Sequence, residues 1–158
     1  GMVVVDLGAA PGGWSQYSRH VMGDRGEVFA VDILPMDPVA GVTYIQGDFC
    51  DEKVLEELKD ALEGKNVDLV LSDMAPNISG ITAVDQPRAM CLAELALDFA
   101  RSHLVAGGAL VAKVFQGEGF QEFVRELRAS FGSVRTRKPA ASRARSREVY
   151  AVARNYRV

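Results

Sequence analysis

Lys113 is the residue whose position most clearly suggests chemistry, because it interrupts the strongly apolar stretch 108–115, GALVAKVF. A lysine in such surroundings is costly unless carboxylates compensate its charge. Asp73 and Glu148 adjoin other strand-like segments and are the carboxylates expected to do so. An amine held by two acids could orient a hydroxyl group or take its proton. The alternative is a lysine whose stem packs while its ammonium reaches solvent, with Glu148 as a surface ion-pair partner.

A glycine-rich turn follows the first apolar segment and reads DLGAAPGGW over residues 6–14. Its glycines, Gly8, Gly12 and Gly13, let a ligand approach the backbone closely, and the helix that follows offers free N–H groups to a negative group. The spacing departs from G-x-G-x-x-G, because an alanine takes the middle position and the next proline lacks an N–H. The turn therefore favours a nucleoside pocket over a pyrophosphate cradle, and a purely structural turn is the alternative.

Two aspartates follow the next two strand-like segments. Asp32 lies 19 residues after Gly13, where a carboxylate can accept hydrogen bonds from both ribose hydroxyls. Asp48 is placed to meet an adenine amino group. The expected apolar neighbours of the ring are Ile33, Met36 and Phe49. Either aspartate alone could be an ordinary loop residue, but Gly, Asp and Asp at three consecutive strand ends indicate a nucleoside. A nucleoside without pyrophosphate, joined to a carboxylate that can meet the helix end, describes S-adenosylmethionine.

The remaining sequence supplies the elements that must position these residues. Apolar, β-branched segments predict seven strands, at 2–7, 27–32, 42–46, 67–72, 109–115, 133–137 and 148–153. Helical spacing predicts four helices, at 13–22, 51–62, 87–105 and 118–130. Strands that are apolar on both faces and alternate with helices indicate a doubly wound α/β fold with a mostly parallel sheet. The polar stretch 138–147 is too short for a crossover helix, so the last strand is expected to be antiparallel.

The expected topology brings the candidate catalytic residues together. The strand order 3-2-1-4-5-7-6, usual in S-adenosylmethionine-dependent methyltransferases, makes the fourth, fifth and seventh strands neighbours. The antiparallel seventh strand then begins where the other two end, at the sheet edge where open α/β folds bind ligands. Asp73, Lys113 and Glu148 are therefore expected to converge on one patch of the cleft, although they are far apart in sequence.

Charge is divided unevenly along this chain, whose formal net charge is −3. Residues 1–124 hold 8 Lys/Arg against 19 Asp/Glu, and residues 125–158 hold 10 against 2. Clustered cations favour a polyanionic partner, because phosphate contacts release counterions. The residues expected to contact the phosphates of a nucleic acid are Arg135, Arg137, Lys138, Arg143, Arg145 and Arg147. Few aromatic residues accompany them, and the alternative is a solvated surface that binds nothing.

Composition and length limit the class of protein to which this chain can belong. A chain of 158 residues, 48% of them hydrophobic, fits one domain over 1–158. Its apolar runs fall short of the roughly 20 residues of a membrane-spanning helix. Cys50 and Cys91 do not form a disulfide framework, and His20 and His103 are isolated from any cysteine cluster, so no metal site is expected. We expect a monomeric, cytoplasmic protein with neither membrane nor metal partners.

The chain contains, in this order, the motifs DLGAAPGGWSQ, VDILPMDP, QGDF, SDMAPNISG, AVDQPRAM, AKVFQGEGF and SRARSREVY. Together they resemble the FtsJ/RrmJ family of ribosomal RNA large-subunit 2′-O-ribose methyltransferases, and the resemblance runs from Met2 to about Val152. It implies a Rossmann-like methyltransferase fold with S-adenosylmethionine as the methyl donor. It also implies that the acceptor is one uridine of the 23S ribosomal RNA A-loop, recognised best in the assembled large subunit.

Matching motifs also imply roles for individual residues. Gly12, Trp14, Asp32, Asp48 and Asp73 resemble cofactor-contacting positions. The full predicted cofactor set is Gly8, Gly12, Gly13, Trp14, Asp32, Ile33, Asp48, Phe49 and Asp73. Asp73, Lys113 and Glu148 resemble three members of a Lys-Asp-Lys-Glu catalytic set. The other family lysine lies upstream of the first strand, where this sequence begins at Gly1, so we expect the family's N-terminal segment to be absent.

The sequence is also compatible with two functions other than RNA methylation. A non-catalytic or impaired RNA- or ribosome-binding module would retain the cofactor pocket without turnover. An NAD-dependent oxidoreductase would bind nicotinamide cofactor at Gly8–Gly13.

Overall fold

The computed structural model describes residues 1–76, 79–138 and 147–158. The strands are β1 (Val3–Leu7), β2 (Glu27–Asp32), β3 (Val42–Gln46), β4 (Val67–Ser72), β5 (Leu104–Phe115), β6 (Phe131–Arg137) and β7 (Glu148–Tyr156). The helices are α1 (Gly13–Met22), α2 (Glu52–Leu62), α3 (Thr82–His103) and α4 (Phe120–Ser130), and a short 3₁₀ turn spans Gly23–Arg25.

The seven strands form one sheet in the order β3-β2-β1-β4-β5-β7-β6. Neighbours from β3 to β5 pair in parallel, whereas β7 runs antiparallel to both β5 and β6. The predicted α/β fold, strand order and reversed last strand are therefore confirmed. Because β7 is reversed, its first residue lies at the same sheet edge as the ends of β4 and β5.

The two faces of the sheet are covered differently. One hydrophobic cluster joins Val5 of β1 with Leu58 of α2, Leu97 of α3 and Leu127 of α4. On the opposite face, α1 packs beside β1 and β2. An apolar groove of about 350 Å³ remains there, between Trp14 on α1 and residues of β1, β4 and β5. The main hydrophobic cluster thus lies on the side of α2, α3 and α4, although Val4 and Val28 on the other face are also buried.

The third helix differs from the sequence-based prediction at its start. It begins at Thr82 rather than at 87, so Pro87 lies inside the helix. The preceding turn is held by Asp85, whose carboxylate accepts hydrogen bonds from the backbone N–H groups of Ser79 and Gly80 at 3.0 Å each. These contacts stabilise the helical turn that precedes Pro87. The sequence pattern alone placed the start of the helix at this proline.

The fifth strand is longer than predicted. It begins at Leu104, directly after α3, whereas the expected strand covered only 109–115. Gly107 and Gly108, which resemble a helix stop in the sequence, lie within this strand. The pairing of β4 with β5 shifts register between Val67 and Leu69, and Gly107 has a φ of +85°. Glycine supplies this conformation at the irregular start of the pairing.

Candidate active site

Lys113 and two carboxylates meet at the edge of the sheet. The Lys113 Nζ lies 3.0 Å from Asp73 Oδ1 and 3.9 Å from Glu148 Oε2, and its side chain is only 14% exposed. Asp73 follows β4, and its backbone N–H donates to the Leu7 carbonyl. Glu148 is the first residue of β7. The structure therefore brings together the three residues expected to converge and pairs the lysine instead of leaving it to reach solvent.

Tyr150 also belongs to this cluster, although the sequence analysis did not select it. Its hydroxyl donates a 2.8 Å hydrogen bond to Asp73 Oδ1, and its ring centroid lies 5.4 Å from that of Trp14. In the β5–β7 pairing, Tyr150 stands directly opposite Lys113. Burial raises the pKa of the phenol, and the hydrogen bond and charge of Asp73 raise it further. Side chains alternate between the two faces of a strand, so Tyr150, two residues after Glu148, lies on the same face as Glu148. The choice of Glu148 as a site residue could therefore have identified Tyr150 from the sequence.

A cleft of about 340 Å³ opens beside this cluster, within the size range of small-molecule sites. It lies at the carboxyl ends of the central strands, where open α/β folds place ligands. The predicted site residues that line it are Gly8, Asp32, Ile33, Asp48, Phe49, Asp73 and Lys113.

The glycine-rich turn packs closely against its neighbours. Gly8 has a φ of +74°, and a Cβ there would lie 2.8 Å from the backbone nitrogen of Met74. Gly12, with a φ of +118°, precedes α1, and a Cβ there would lie 3.2 Å from the Met36 sulfur. Gly13 and Trp14 begin α1. Gly12, Gly13 and Trp14 are outside the described lining of the cleft.

Asp32 ties together the two loops that border the cleft. Its Oδ2 accepts from the Ala10 N–H at 2.8 Å, and its Oδ1 accepts from the Leu34 N–H at 2.9 Å. Asp48 accepts a 2.9 Å hydrogen bond from the backbone N–H of Cys50. These carboxylates have spare acceptor capacity, because each oxygen can accept more than one hydrogen bond.

The predicted apolar neighbours of the ligand differ in burial. Ile33 is 62% exposed beside the cleft. Phe49 is buried and packs edge-on against Phe99, with ring centroids 5.8 Å apart. Phe49 therefore contributes to the core as well as to the cleft wall.

Asp6 is a buried acid that the sequence analysis did not single out. It is fully buried, and its Oδ2 accepts a 2.7 Å hydrogen bond from the Ser15 hydroxyl. Its Oδ1 has no hydrogen-bond partner among the described residues. Burial raises the pKa of Asp6 to about 6, against the lowering by Ser15, and the charges of Asp73 and Asp32 raise it further.

The predicted RNA-binding residues lie mostly at the β6 edge. Arg135 and Arg137 are exposed and pair with Val152 and Tyr150 of β7. Arg154, which the sequence analysis did not select, joins them around a hollow of about 320 Å³.

The other four residues predicted to contact RNA differ in their surroundings. Lys138 Nζ donates a 2.9 Å hydrogen bond to the Glu148 carbonyl. The exposed Arg147 accepts at its carbonyl from the Gln116 N–H. Arg143 and Arg145 lie outside the described residues.

Within residues 1–76, 79–138 and 147–158, no group of three or more His, Cys, Asp or Glu side chains could hold a metal ion. No helix in these ranges is long and apolar enough to cross a membrane.

Comparisons with known proteins identify relatives of the whole arrangement. Over 156 residues, the chain is 63% identical to ribosomal RNA large subunit methyltransferase E of Chromohalobacter salexigens, covering 99% of this chain and 74% of that protein. The protein of the same name in Alkalilimnicola ehrlichii is 62% identical, with 99% and 75% covered. The chain thus spans about three quarters of the length of these relatives.

The fold comparison and the family model agree with these sequence relatives. The crystal structure of a ribosomal RNA methyltransferase from Plasmodium falciparum matches with a TM-score of 0.86 at 26% identity, covering 98% of this chain and 86% of that one. The sheet is therefore of the Rossmann-like methyltransferase type. The family model described as FtsJ-like methyltransferase matches residues 1–156. With this match added to the convergence of Asp73, Lys113 and Glu148, the chain belongs to the FtsJ-like methyltransferase family.

Proposed function

We propose that the chain transfers a methyl group from S-adenosylmethionine to the 2′-hydroxyl of a uridine ribose in large-subunit (23S) ribosomal RNA. The observation that carries this proposal is Lys113 held by Asp73 and Glu148 beside a nucleoside-sized cleft. The identity of 62–63% to two large-subunit methyltransferases supports the choice of substrate.

The residues of the cleft fit S-adenosylmethionine. The carboxylates of Asp32 and Asp48 are suited to accept hydrogen bonds from ribose hydroxyls and an adenine amino group, and the exposed Ile33 offers an apolar contact to a base. The turn at Gly8 has no room for a Cβ. When bound, this cofactor supplies a methyl group on a positively charged sulfur. The carboxylate of Asp73 favours a cationic group in this cleft.

Lys113 acts on the acceptor hydroxyl in this proposal. An ammonium carries three hydrogens, and Asp73 and Glu148 occupy at most two of them. The third is available to the ribose 2′-oxygen, which Lys113 orients and whose developing negative charge it stabilises. Net transfer forms an oxygen–carbon bond, breaks a sulfur–carbon bond and releases the hydroxyl proton to solvent.

The basic edge of the sheet supports a nucleic-acid acceptor. Arg137 is paired with Tyr150, which is in turn paired with Lys113. Two strand spacings, about 10 Å, therefore separate the arginine strand from the lysine strand. Phosphates bound by Arg135, Arg137 and Arg154 would hold the RNA backbone beside the cleft.

Transfer of tritium from methyl-labelled S-adenosylmethionine to undermethylated large ribosomal subunits tests the proposal. We expect label in the 23S RNA, with the methylated linkage resistant to alkali because the 2′-oxygen is blocked. Small subunits serve as the substrate control, and Lys65→Ala serves as the matched protein control, since Lys65 pairs with Glu27 at the surface. Binding of the cofactor without incorporation of label would contradict the proposal and support a non-catalytic module.

A further inference from the structure

A single oxygen atom accepts two side-chain donors in the candidate active site. Asp73 Oδ1 lies 3.0 Å from the Lys113 ammonium and 2.8 Å from the Tyr150 hydroxyl. The position of this carboxylate therefore depends on both donors. With Lys113 as its only partner, the carboxylate could follow the movements of the flexible lysine side chain, whereas a second donor from another strand fixes the position of Oδ1.

Tyr150 is held in place from three directions. Its strand register sets it opposite Lys113, and its neighbours Val149 and Ala151 are buried in the hydrophobic core. The ring of Trp14 lies against its ring at an angle of 50°. The tyrosine thus connects β7, the loop after β4 and the start of α1 at the rim of the cleft.

The phenol of Tyr150 serves as a hydrogen-bond donor. Burial and the neighbouring Asp73 and Glu148 carboxylates raise its pKa, so it keeps its proton at neutral pH. A protonated phenol cannot act as the base that takes the ribose proton. In the structure its hydroxyl donates to the Asp73 carboxylate. Tyr150 is also outside the described lining of the cofactor cleft.

We propose that Tyr150 is a positioning residue for methyl transfer, whose hydroxyl fixes Asp73 so that this carboxylate holds Lys113 toward the acceptor hydroxyl. This inference rests on the proposed function. It predicts a specific defect, because the tyrosine acts on the orientation of Lys113 and not on the binding of cofactor or RNA. Small errors in the position of a reacting group are costly to the rate.

The test compares Tyr150→Phe with Tyr156→Phe in the full chain. Tyr156 lies on the same strand, packs on Phe131 with centroids 5.3 Å apart at 54°, and donates to the Arg101 carbonyl away from the cleft. The two substitutions therefore remove one hydroxyl each from similar settings. We expect Tyr150→Phe to lower the single-turnover rate at saturating substrates about tenfold, which corresponds to one charge-assisted hydrogen bond. The KM values for cofactor and large subunit should stay unchanged, and Tyr156→Phe should retain the full rate.

Three outcomes would overturn the proposal. They are an unchanged rate in Tyr150→Phe, a raised KM without loss of rate, and an equal loss of rate in Tyr156→Phe. If the unaltered chain transfers no label, the proposed function fails, and Tyr150 is then judged by a measurement that needs no turnover. The rate of acylation of the Lys113 amine, followed by mass spectrometry, should differ between Tyr150→Phe and the unaltered chain, because the phenol no longer shares and positions the carboxylate that holds the amine. An unchanged acylation rate would overturn the positioning role independently.

Discussion

The Ser15 hydroxyl donates a 2.7 Å hydrogen bond to Asp6, and both residues are fully buried at the two ends of the glycine-rich turn. Burial raises the pKa of Asp6 from 3.8 to about 6. Between these two values the unfolded chain releases a proton that the folded chain retains. The contribution of Asp6 to the stability of the folded chain is therefore complete below about pH 4. As the pH rises through 6, the free energy of unfolding falls by up to about 3 kcal/mol.

Asp6→Asn should remove this pH dependence, because the amide cannot ionise and its oxygen can still accept from Ser15. We expect the free energy of unfolding of the variant, relative to the unaltered chain, to increase by up to about 3 kcal/mol between pH 4 and pH 8. Denaturant unfolding at both pH values measures it. Asp37→Asn, at an exposed position, is the control. The same difference between Asp6→Asn and the unaltered chain at both pH values would show that Asp6 ionises normally.

Lys113→Ala should abolish methylation and leave the affinity for S-adenosylmethionine within about threefold, because the lysine acts on the acceptor hydroxyl in the proposed mechanism. Isothermal titration gives the affinity, and label transfer gives the rate. Lys65→Ala, the surface control, should behave as the unaltered chain. Loss of cofactor binding together with the rate would assign Lys113 a structural role.

Asp32→Asn should weaken cofactor binding by about 10- to 100-fold, because an amide replaces one of the two oxygens that hold the N–H groups of Ala10 and Leu34. The melting temperature should also fall, since the same bonds tie two loops together. Titration calorimetry and thermal unfolding check the two effects. Asp37→Asn, at an exposed position on the neighbouring loop, provides the comparison. Unchanged affinity would place the nucleoside elsewhere.

Arg135→Ala combined with Arg137→Ala should weaken RNA binding and make it less sensitive to salt. Each phosphate contact that is lost should reduce the slope of log affinity against log salt by about 0.7 to 0.9. Filter binding of 23S RNA fragments at several KCl concentrations measures the slope. Arg125→Ala, on exposed α4 surface, is the control. An unaltered slope in the double variant would show that these arginines only solvate the edge strand.

The sequence carried enough information to predict the sheet and the meeting of Lys113 with its acids. Apolar segments alternating with helices restrict the topology, and one short polar connection forces the last strand to reverse. The start of β5 was not predictable in the same way. A Cβ at Gly108 would lie 3.1 Å from the Asp68 carbonyl, so this glycine reflects the close approach of two strands, although in sequence it resembles a helix stop.

Tyr150, Arg154 and Asp6 were missed for different reasons. Tyr150 and Arg154 share one face of β7 with Val152, so the alternation of the strand would have identified both once Glu148 was chosen. Asp6 lies in an apolar strand, and the sequence does not show that its carboxylate is buried with one oxygen that has no hydrogen-bond partner among the described residues. Local patterns predict which face a residue occupies, but its burial depends on distant packing.

The antiparallel pairing of β7 makes the cluster sensitive to a slip of one residue. Such a slip would exchange the two sides of the strand, turning Glu148 and Tyr150 into the core and exposing Val149 and Ala151. The free energy of burying an acid without a partner opposes this exchange. The aliphatic packing beneath β7 therefore sets the register of this strand. Substitutions in that layer can displace the acid and the phenol from the cluster without changing either residue.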